Sequence, residues 1–216
     1  MSARITISLV EDHEDTREVL RRSLARQPDF AVLDEFADAE SALSRVSARL
    51  PHIVLVDWHL GEGRMDGLEF IRCIKALHPG LCCLLITAYD LEHLPIEAVR
   101  SGADGFIYKS DSLASLPRRI RAAHAGEFPF SPRAAGKVVS IVREEAAAAR
   151  VALKKLTARE REILLFMRGG PTEKQAAAHF GLSAKTIHNH LNSAHGKLGV
   201  HNRAEALALL RGDRMG

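Results

Sequence analysis

Only three cysteines occur among the 216 residues, Cys73 and the adjacent Cys82-Cys83, all in segments that read as helix or apolar strand. Their spacing suggests neither a disulfide framework nor a metal set, and they are expected in the core. Histidine does not supply a zinc site in their place. In the C-terminal part His179, His188, His190, His195 and His201 include no two four apart on a common face, and no cysteine or carboxylate completes a set. Long apolar runs are missing too. The longest candidate at the N-terminus, Ile5 to Val10, is too short for a membrane span or a signal peptide and is followed at once by acids. A cytoplasmic protein with no membrane partner is expected.

The chain has 46% hydrophobic residues, enough to bury one domain of ordinary size and a smaller one. Its net charge of +3 conceals an asymmetry. Residues 1–127 hold 15 Lys and Arg against 20 Asp and Glu, net −5, whereas residues 128–216 hold 15 against 7, net +8. Only the C-terminal part suits a polyanion.

The acidic part alternates apolar strands (Ile5 to Val10, Ala31 to Phe36, Ile53 to Val56, Leu81 to Ile86, Gly105 to Tyr108) with helical patterns such as Val19, Leu20, Leu24, then Ala42, Leu43, Val46, then Leu68, Ile71, Ile74, Leu77. That alternation implies a parallel sheet covered on both faces, with its ligand site beyond the carboxyl ends of the strands. Those ends present Glu11-Asp12, Asp57, Thr87 and Lys109. Three carboxylates at one sheet end repel one another unless a cation holds them. Mg²⁺ suits them, since it accepts carboxylates while keeping positions for water and phosphate. Asp57 could then act as nucleophile toward a phosphoryl group, with Lys109 helping to neutralise the charge.

The basic part reads as four short helices. Thr157 with Glu160, and Thr172 with Gln175, are capping-box patterns, and Gly181 permits a tight turn before Ser183 caps a third helix. In that third helix Ile187, Leu191, Ala194 and Leu198 form one buried stripe, so Lys185, His188, Asn189 and Asn192 face outward, as a helix in the major groove requires. Asn202 with Glu205 caps the fourth. The intervening FPFSPRAAGK reads as a turn, and VVSIVREEAAAARVALKK as a helix or semi-rigid tether. The expected division is 1–127, a linker over 128–152, and 153–216.

Both parts resemble known families. Leu156-Thr157, Arg159-Glu160, Thr186-Ile187, Asn189-His190, Lys197-Leu198-Gly199-Val200 and Asn202-Arg203-Ala204-Glu205-Ala206 match the pattern of the LuxR/NarL-type helix-turn-helix domain. Residues 5 to about 127 are similar to the receiver domain of two-component response regulators, most closely over Gly102-Ala103-Asp104-Gly105-Phe106-Ile107-Tyr108-Lys109. The resemblance implies a flavodoxin-like five-stranded parallel sheet of order 2-1-3-4-5 followed by an all-α four-helix domain, together the NarL/FixJ architecture. It implies Asp57 as phosphoacceptor, Mg²⁺ held by Glu11, Asp12, Asp57 and the backbone carbonyl of His59, and Thr87, Phe106 and Lys109 as switch and charge-compensating residues. For DNA it implies Lys185, Thr186, His188, Asn189, Asn192 and Lys197, with Lys185 and Lys197 mainly at phosphates. The implied partners are a histidine kinase or phosphotransfer protein, DNA, and a second copy as a homodimer on two half-sites, the unphosphorylated receiver covering the recognition helix.

Such a protein is a regulator and not an enzyme, beyond self-catalysed phosphorylation and dephosphorylation. Three departures stand out: His188 where the family usually has a basic residue, a loop WHLGEGRMDG about two residues longer than usual, and Ser110 in place of proline after Lys109. A dehalogenase-like phosphatase wants a second carboxylate two residues after its nucleophile, where this chain has His59. The other alternative is an orphan regulator, whose receiver is an interaction module that is never phosphorylated.

Overall fold

The computed structural model describes residues 4–62, 64–111 and 113–212. The chain divides into two compact units, Met1–Ile141 and Val142–Gly216.

In the first unit five strands, β1 (Ile5–Val10), β2 (Phe30–Phe36), β3 (Ile53–Asp57), β4 (Cys82–Thr87) and β5 (Gly105–Tyr108), form one sheet of order β2-β1-β3-β4-β5. All pairings are parallel, which requires crossovers. These run through α1 (Glu14–Ala25), α2 (Ala39–Val46), α3 (Gly67–Leu77) and α4 (Leu94–Ser101), and α5 (Leu116–His124) follows β5. Successive strand residues point to opposite faces, so the sheet makes two cores. Ile7, Leu9, Ile53 and Leu55 pack with Leu20 and Leu24 of α1 and Ile120 of α5. Val10, Val54 and Val56 pack with Val46 of α2, Phe70 and Ile74 of α3 and Ala98 of α4. Asp57 and Thr87 are the last residues of their strands, one position earlier in the architecture than expected. Val19 and Leu77, expected on buried helical faces, are 49% and 61% exposed. Each is the outermost member of its stripe, and its neighbours Leu20 and Ile74 fill the core instead.

Residues 132–154 form a single helix, α6 (Pro132–Lys154), so the expected turn over FPFSPRAAGK stops at Ser131. Proline at the first helical position loses no hydrogen bond, and Ser131 Oγ accepts from the Ala134 amide 3.3 Å away. The division between the compact units falls inside this helix, between Ile141 and Val142.

In the second unit α7 (Ala158–Met167), α8 (Glu173–Phe180), α9 (Ala184–Leu198) and α10 (Arg203–Gly212) enclose one core. Both capping boxes form, Thr157 with Glu160 and Thr172 with Gln175. Gly181, at φ +64°, makes the turn between α8 and α9 in a conformation that L side chains rarely adopt. Ile187, Leu191, Ala194 and Leu198 are the buried stripe of α9.

Candidate phosphoacceptor site and nucleic-acid interface

The carboxyl ends of β1, β3 and β5 meet at one point. Glu11, just past β1, is 1% exposed and Asp57 is 4% exposed. Lys109, just past β5, bridges them, its Nζ donating to Glu11 Oε2 at 2.7 Å and to Asp57 Oδ2 at 2.9 Å. Burial pushes the carboxyls of Glu11 and Asp57 above the ordinary range, against the opposing pull of Lys109. Burial also works against the Lys109 ammonium, but its hydrogen bonds to Glu11 and Asp57 prevail and raise its pKa.

The other oxygen of Asp57, Oδ1, is buried and has no hydrogen-bond partner among the described residues. An orphaned buried carboxylate oxygen wants a cation or a reacting group beside it. Ligand atoms of Glu11, Asp12 and His13 lie within 4.8 Å of one another. Oxygen donors from Glu11, Asp12 and Asp57 fit Mg²⁺, a hard cation. His13 was not anticipated in this group. Its Nδ1 lies 3.0 Å from Asp12 Oδ1, and that contact raises the pKa of the exposed imidazole. Arg17 was missed as well, and donates from Nη1 to the Glu11 carbonyl at 2.6 Å, fixing the loop after β1.

The loop after Asp57 is set by Gly67, whose amide donates to the Trp58 carbonyl at 2.8 Å. One residue of the long loop, Gly63, lies outside the described residues. His59 is half-buried there, and its ring and that of Trp58 both pack edge-on against Tyr89, at 5.8 and 5.1 Å between centroids. Thr87 is fully buried, and its Oγ1 accepts from the Tyr89 amide at 3.0 Å. Phe106 is also fully buried, stacked on Phe130 at 6.4 Å and edge-on to Tyr108 at 5.0 Å. Ser131 N donates to the Phe106 carbonyl, tying the start of α6 to β5.

On α9, Lys185, His188, Asn189 and Asn192 are exposed on one side of the helix. Thr186 is half-buried, and its hydroxyl lies 2.8 Å from that of Ser183 at the cap. Lys197 has a structural partner that the sequence did not suggest. Its Nζ donates to both oxygens of Glu160 at 2.7 Å, and Ser193 Oγ donates to the same carboxylate at 2.7 Å. Glu160 is 3% exposed, so this cation is the counter-charge of a buried acid between α7 and α9. Although burial opposes ionisation of Glu160, its partners Lys197, Ser193 and Thr157 outweigh burial and hold its pKa at about 2. A carboxyl depressed in the fold stabilises it above its unfolded pKa, and that stability is lost as pH falls toward the folded value. We therefore expect wild-type helical structure of the second unit to weaken between roughly pH 5 and pH 2. Glu160→Gln should be less stable at pH 7 by about 2 kcal/mol and nearly flat over that window. Parallel pH profiles of the two proteins by circular dichroism would refute this assignment.

The sequence model for the response regulator receiver domain matches residues 7–121, and that for the luxR family of bacterial regulatory proteins matches residues 154–210. The chain is a LuxR-type response regulator. It is similar to the DNA-binding transcriptional activator DevR/DosR of Mycobacterium tuberculosis, with 31% identity over 94% of this chain and 92% of that one. The transcriptional regulatory protein LiaR of Bacillus subtilis is also 31% identical, over 94% of each chain. Among solved structures, a LuxR-family two-component response regulator from Aurantimonas is 32% identical, with a TM-score of 0.60 over 64% of this chain and 97% of that one. RcsB of Salmonella enterica serovar Typhimurium bound to a promoter has 22% identity and a TM-score of 0.58 over 97% and 98% of the chains, a likeness of fold. No helix among the described residues of this response regulator is long and apolar enough to cross a membrane.

Proposed function

We propose that Asp57 accepts a phosphoryl group from a histidine kinase or phosphotransfer protein and that the phosphorylated chain binds DNA sequence-specifically through α9, as a homodimer on two half-sites. The observation that carries the first half is the orphaned Oδ1 of Asp57 beside the Lys109 bridge. An Asp57 oxygen attacks phosphorus as the phosphorus–nitrogen bond of the donor phosphohistidine breaks, giving an acyl phosphate and a free imidazole. Glu11, Asp12, Asp57 and the His59 carbonyl would hold Mg²⁺, which when bound neutralises charge on the phosphoryl oxygens. Lys109 supplies the remaining positive charge. Buried Thr87 and half-buried Trp58 and His59 limit water around the group. Intact-mass measurement after incubation with a small phosphodonor and Mg²⁺ tests the step. One phosphate per chain supports it, turnover without accumulation indicates a phosphatase, and no uptake indicates an orphan receiver.

A second contact set supports a route by which the first unit reads out that phosphate. Asp90, in the loop after β4, pairs with Arg133 and accepts from Lys137 Nζ at 2.8 Å, while Lys137 also reaches the Leu91 carbonyl at 3.2 Å. Arg133 lies 5.0 Å over the Tyr108 ring. A Thr87 hydroxyl that turns toward a phosphoryl oxygen moves the loop whose Tyr89 amide it now holds, and with it Asp90. Asp90→Ala should speed amide exchange over residues 133–138 in the unphosphorylated protein and remove any further change on adding phosphodonor. Exchange identical to wild type in both conditions would exclude this route.

On DNA, Lys185 is the direct phosphate contact and Lys197 is not. Lys185→Ala should lower the slope of log affinity against log salt by about one, whereas Lys197→Ala should leave that slope unchanged and act through stability. Equal slope changes would return Lys197 to the interface.

A further inference from the structure

On the outward side of α9, His188 touches the helix before it. Its Nδ1 lies 3.4 Å from Oε1 of Glu173, the first residue of α8, so the two helices of the turn share a side-chain contact on the exposed side of this unit. The two side chains are 55% and 41% exposed, and as an ion pair in water the contact adds little stability. Its consequence is chemical. A carboxylate only accepts, so the hydrogen on that side belongs to Nδ1, and Nε2 is the nitrogen left to face a ligand. In the neutral ring Nε2 is an acceptor. When a proton from solvent adds to it, breaking no other bond, the same atom becomes a donor.

The charged groups around the pair leave it to act by itself. On α8, Lys174 follows Glu173, and His179 stacks on Phe166. On α7, Glu160 holds Lys197 and Ser193, and Arg159 is bonded to Glu162 and the Phe180 carbonyl. On α10, Arg203 is bonded to the Met167 and Pro171 carbonyls and Glu205 to Asn202 and the His201 amide. On α9 itself Lys185 stands one turn before His188, exposed on the same side. Lys185 donates at any pH near neutrality, and Asn189 and Asn192 both donate and accept. Only an imidazole reverses the polarity of one atom there. In the major groove guanine presents the acceptors N7 and O6, whereas cytosine and adenine present amino donors. We propose that His188 reads one base pair of the DNA site according to its proton, with Glu173 as the residue that positions the ring. The imidazolium donates from Nε2 to guanine, and the neutral ring accepts at Nε2 from the amino group of cytosine or adenine. This inference rests on α9 being the reading helix.

Histidine exchanges its proton between about pH 5 and pH 8, so selection from a randomised duplex library at about pH 6 and about pH 8 tests the idea. The full chain is used with phosphodonor and Mg²⁺, and affinities are then measured on the selected duplexes. The loss of helical structure tied to Glu160 lies below both conditions. Wild type should enrich guanine at one position at the lower pH and cytosine or adenine there at the higher. The ratio of its affinities for the two duplexes should change about tenfold between the conditions. His188→Lys, a cation throughout, should select guanine at both pH values, and His188→Gln should select one base regardless of pH. Glu173→Ala should flatten the wild-type preference, and Glu173→Gln, which keeps an acceptor oxygen, should restore it. A merely structural loss would weaken binding to every duplex and leave the ratio alone. The same base selected by wild type at both pH values overturns the proposal and leaves sequence reading by α9 standing. A pH-dependent preference that survives in His188→Gln also overturns it, because the proton then sits elsewhere. Glu173→Ala with the wild-type ratio removes Glu173 from the reading. No enriched sequence with any of these proteins would count against α9 as the reading helix, and the proposal would fall with it.

Discussion

Asp57→Asn is expected to take up no phosphate at all from a small phosphodonor with Mg²⁺, while keeping the wild-type circular dichroism spectrum. The amide preserves the shape of the side chain and its place at the end of β3, and removes the nucleophile. Lys109 would retain Glu11 as a partner at 2.7 Å, so the loss of one carboxylate does not strand the ammonium. The companion change Lys109→Ala acts differently. It leaves two carboxylates, each 4% exposed or less, without their common counter-charge, so uptake should slow but still end at one phosphate per chain. Uptake by Asp57→Asn at the wild-type rate would move the acceptor elsewhere.

Gly67→Ala should be among the most damaging single changes in the first unit. A Cβ at this position would lie 2.1 Å from the Asp57 carbonyl oxygen and 3.0 Å from the Trp58 Cα, both backbone atoms that cannot swing aside. Relief requires α3 to back away from β3, which opens the core around Phe70, Ile71 and Ile74. The expected cost is about 3 kcal/mol, with slower phosphate uptake because the displaced carbonyl belongs to Asp57, the proposed acceptor. The chain has one tryptophan, Trp58, half-buried next to this contact, so its fluorescence follows unfolding of this unit separately from the other. A urea midpoint within error of wild type would mean that α3 accommodates the methyl group, and the close approach would lose its significance.

The parts of this architecture that short-range pattern controls were legible in the sequence. Apolar runs such as Ile53–Val56 and Leu84–Ile86 can only be buried on both faces, so the strands and their parallel order follow, and with them the meeting of Glu11, Asp57 and Lys109 at one sheet end. The stripe of α9 was legible for the same reason. What escaped depends on contacts distant in sequence. Lys197 lies beside the stripe residue Leu198, and nothing local says that a buried Glu160, 37 positions away, claims its ammonium. Asp90 gives no sign that it holds Arg133 and Lys137 across more than forty residues. The helical start at Pro132 did leave a signal, a serine followed by proline, but the prolines at 129 and 132 read more naturally as a turn. His13 was overlooked because it begins no pattern of its own and joins the acidic group only through the geometry of the loop after β1.

The central claim is that a phosphoryl group on Asp57 controls the affinity of α9 for DNA. It is tested most directly by titrating a labelled specific duplex with wild type and Asp57→Asn, each with and without phosphodonor and Mg²⁺, at one fixed salt concentration. The predicted result is a gain in affinity on adding phosphodonor for the wild type alone, with Asp57→Asn binding at the unphosphorylated level in both conditions. The same affinity for all four samples, or an equal gain in both proteins, would contradict it.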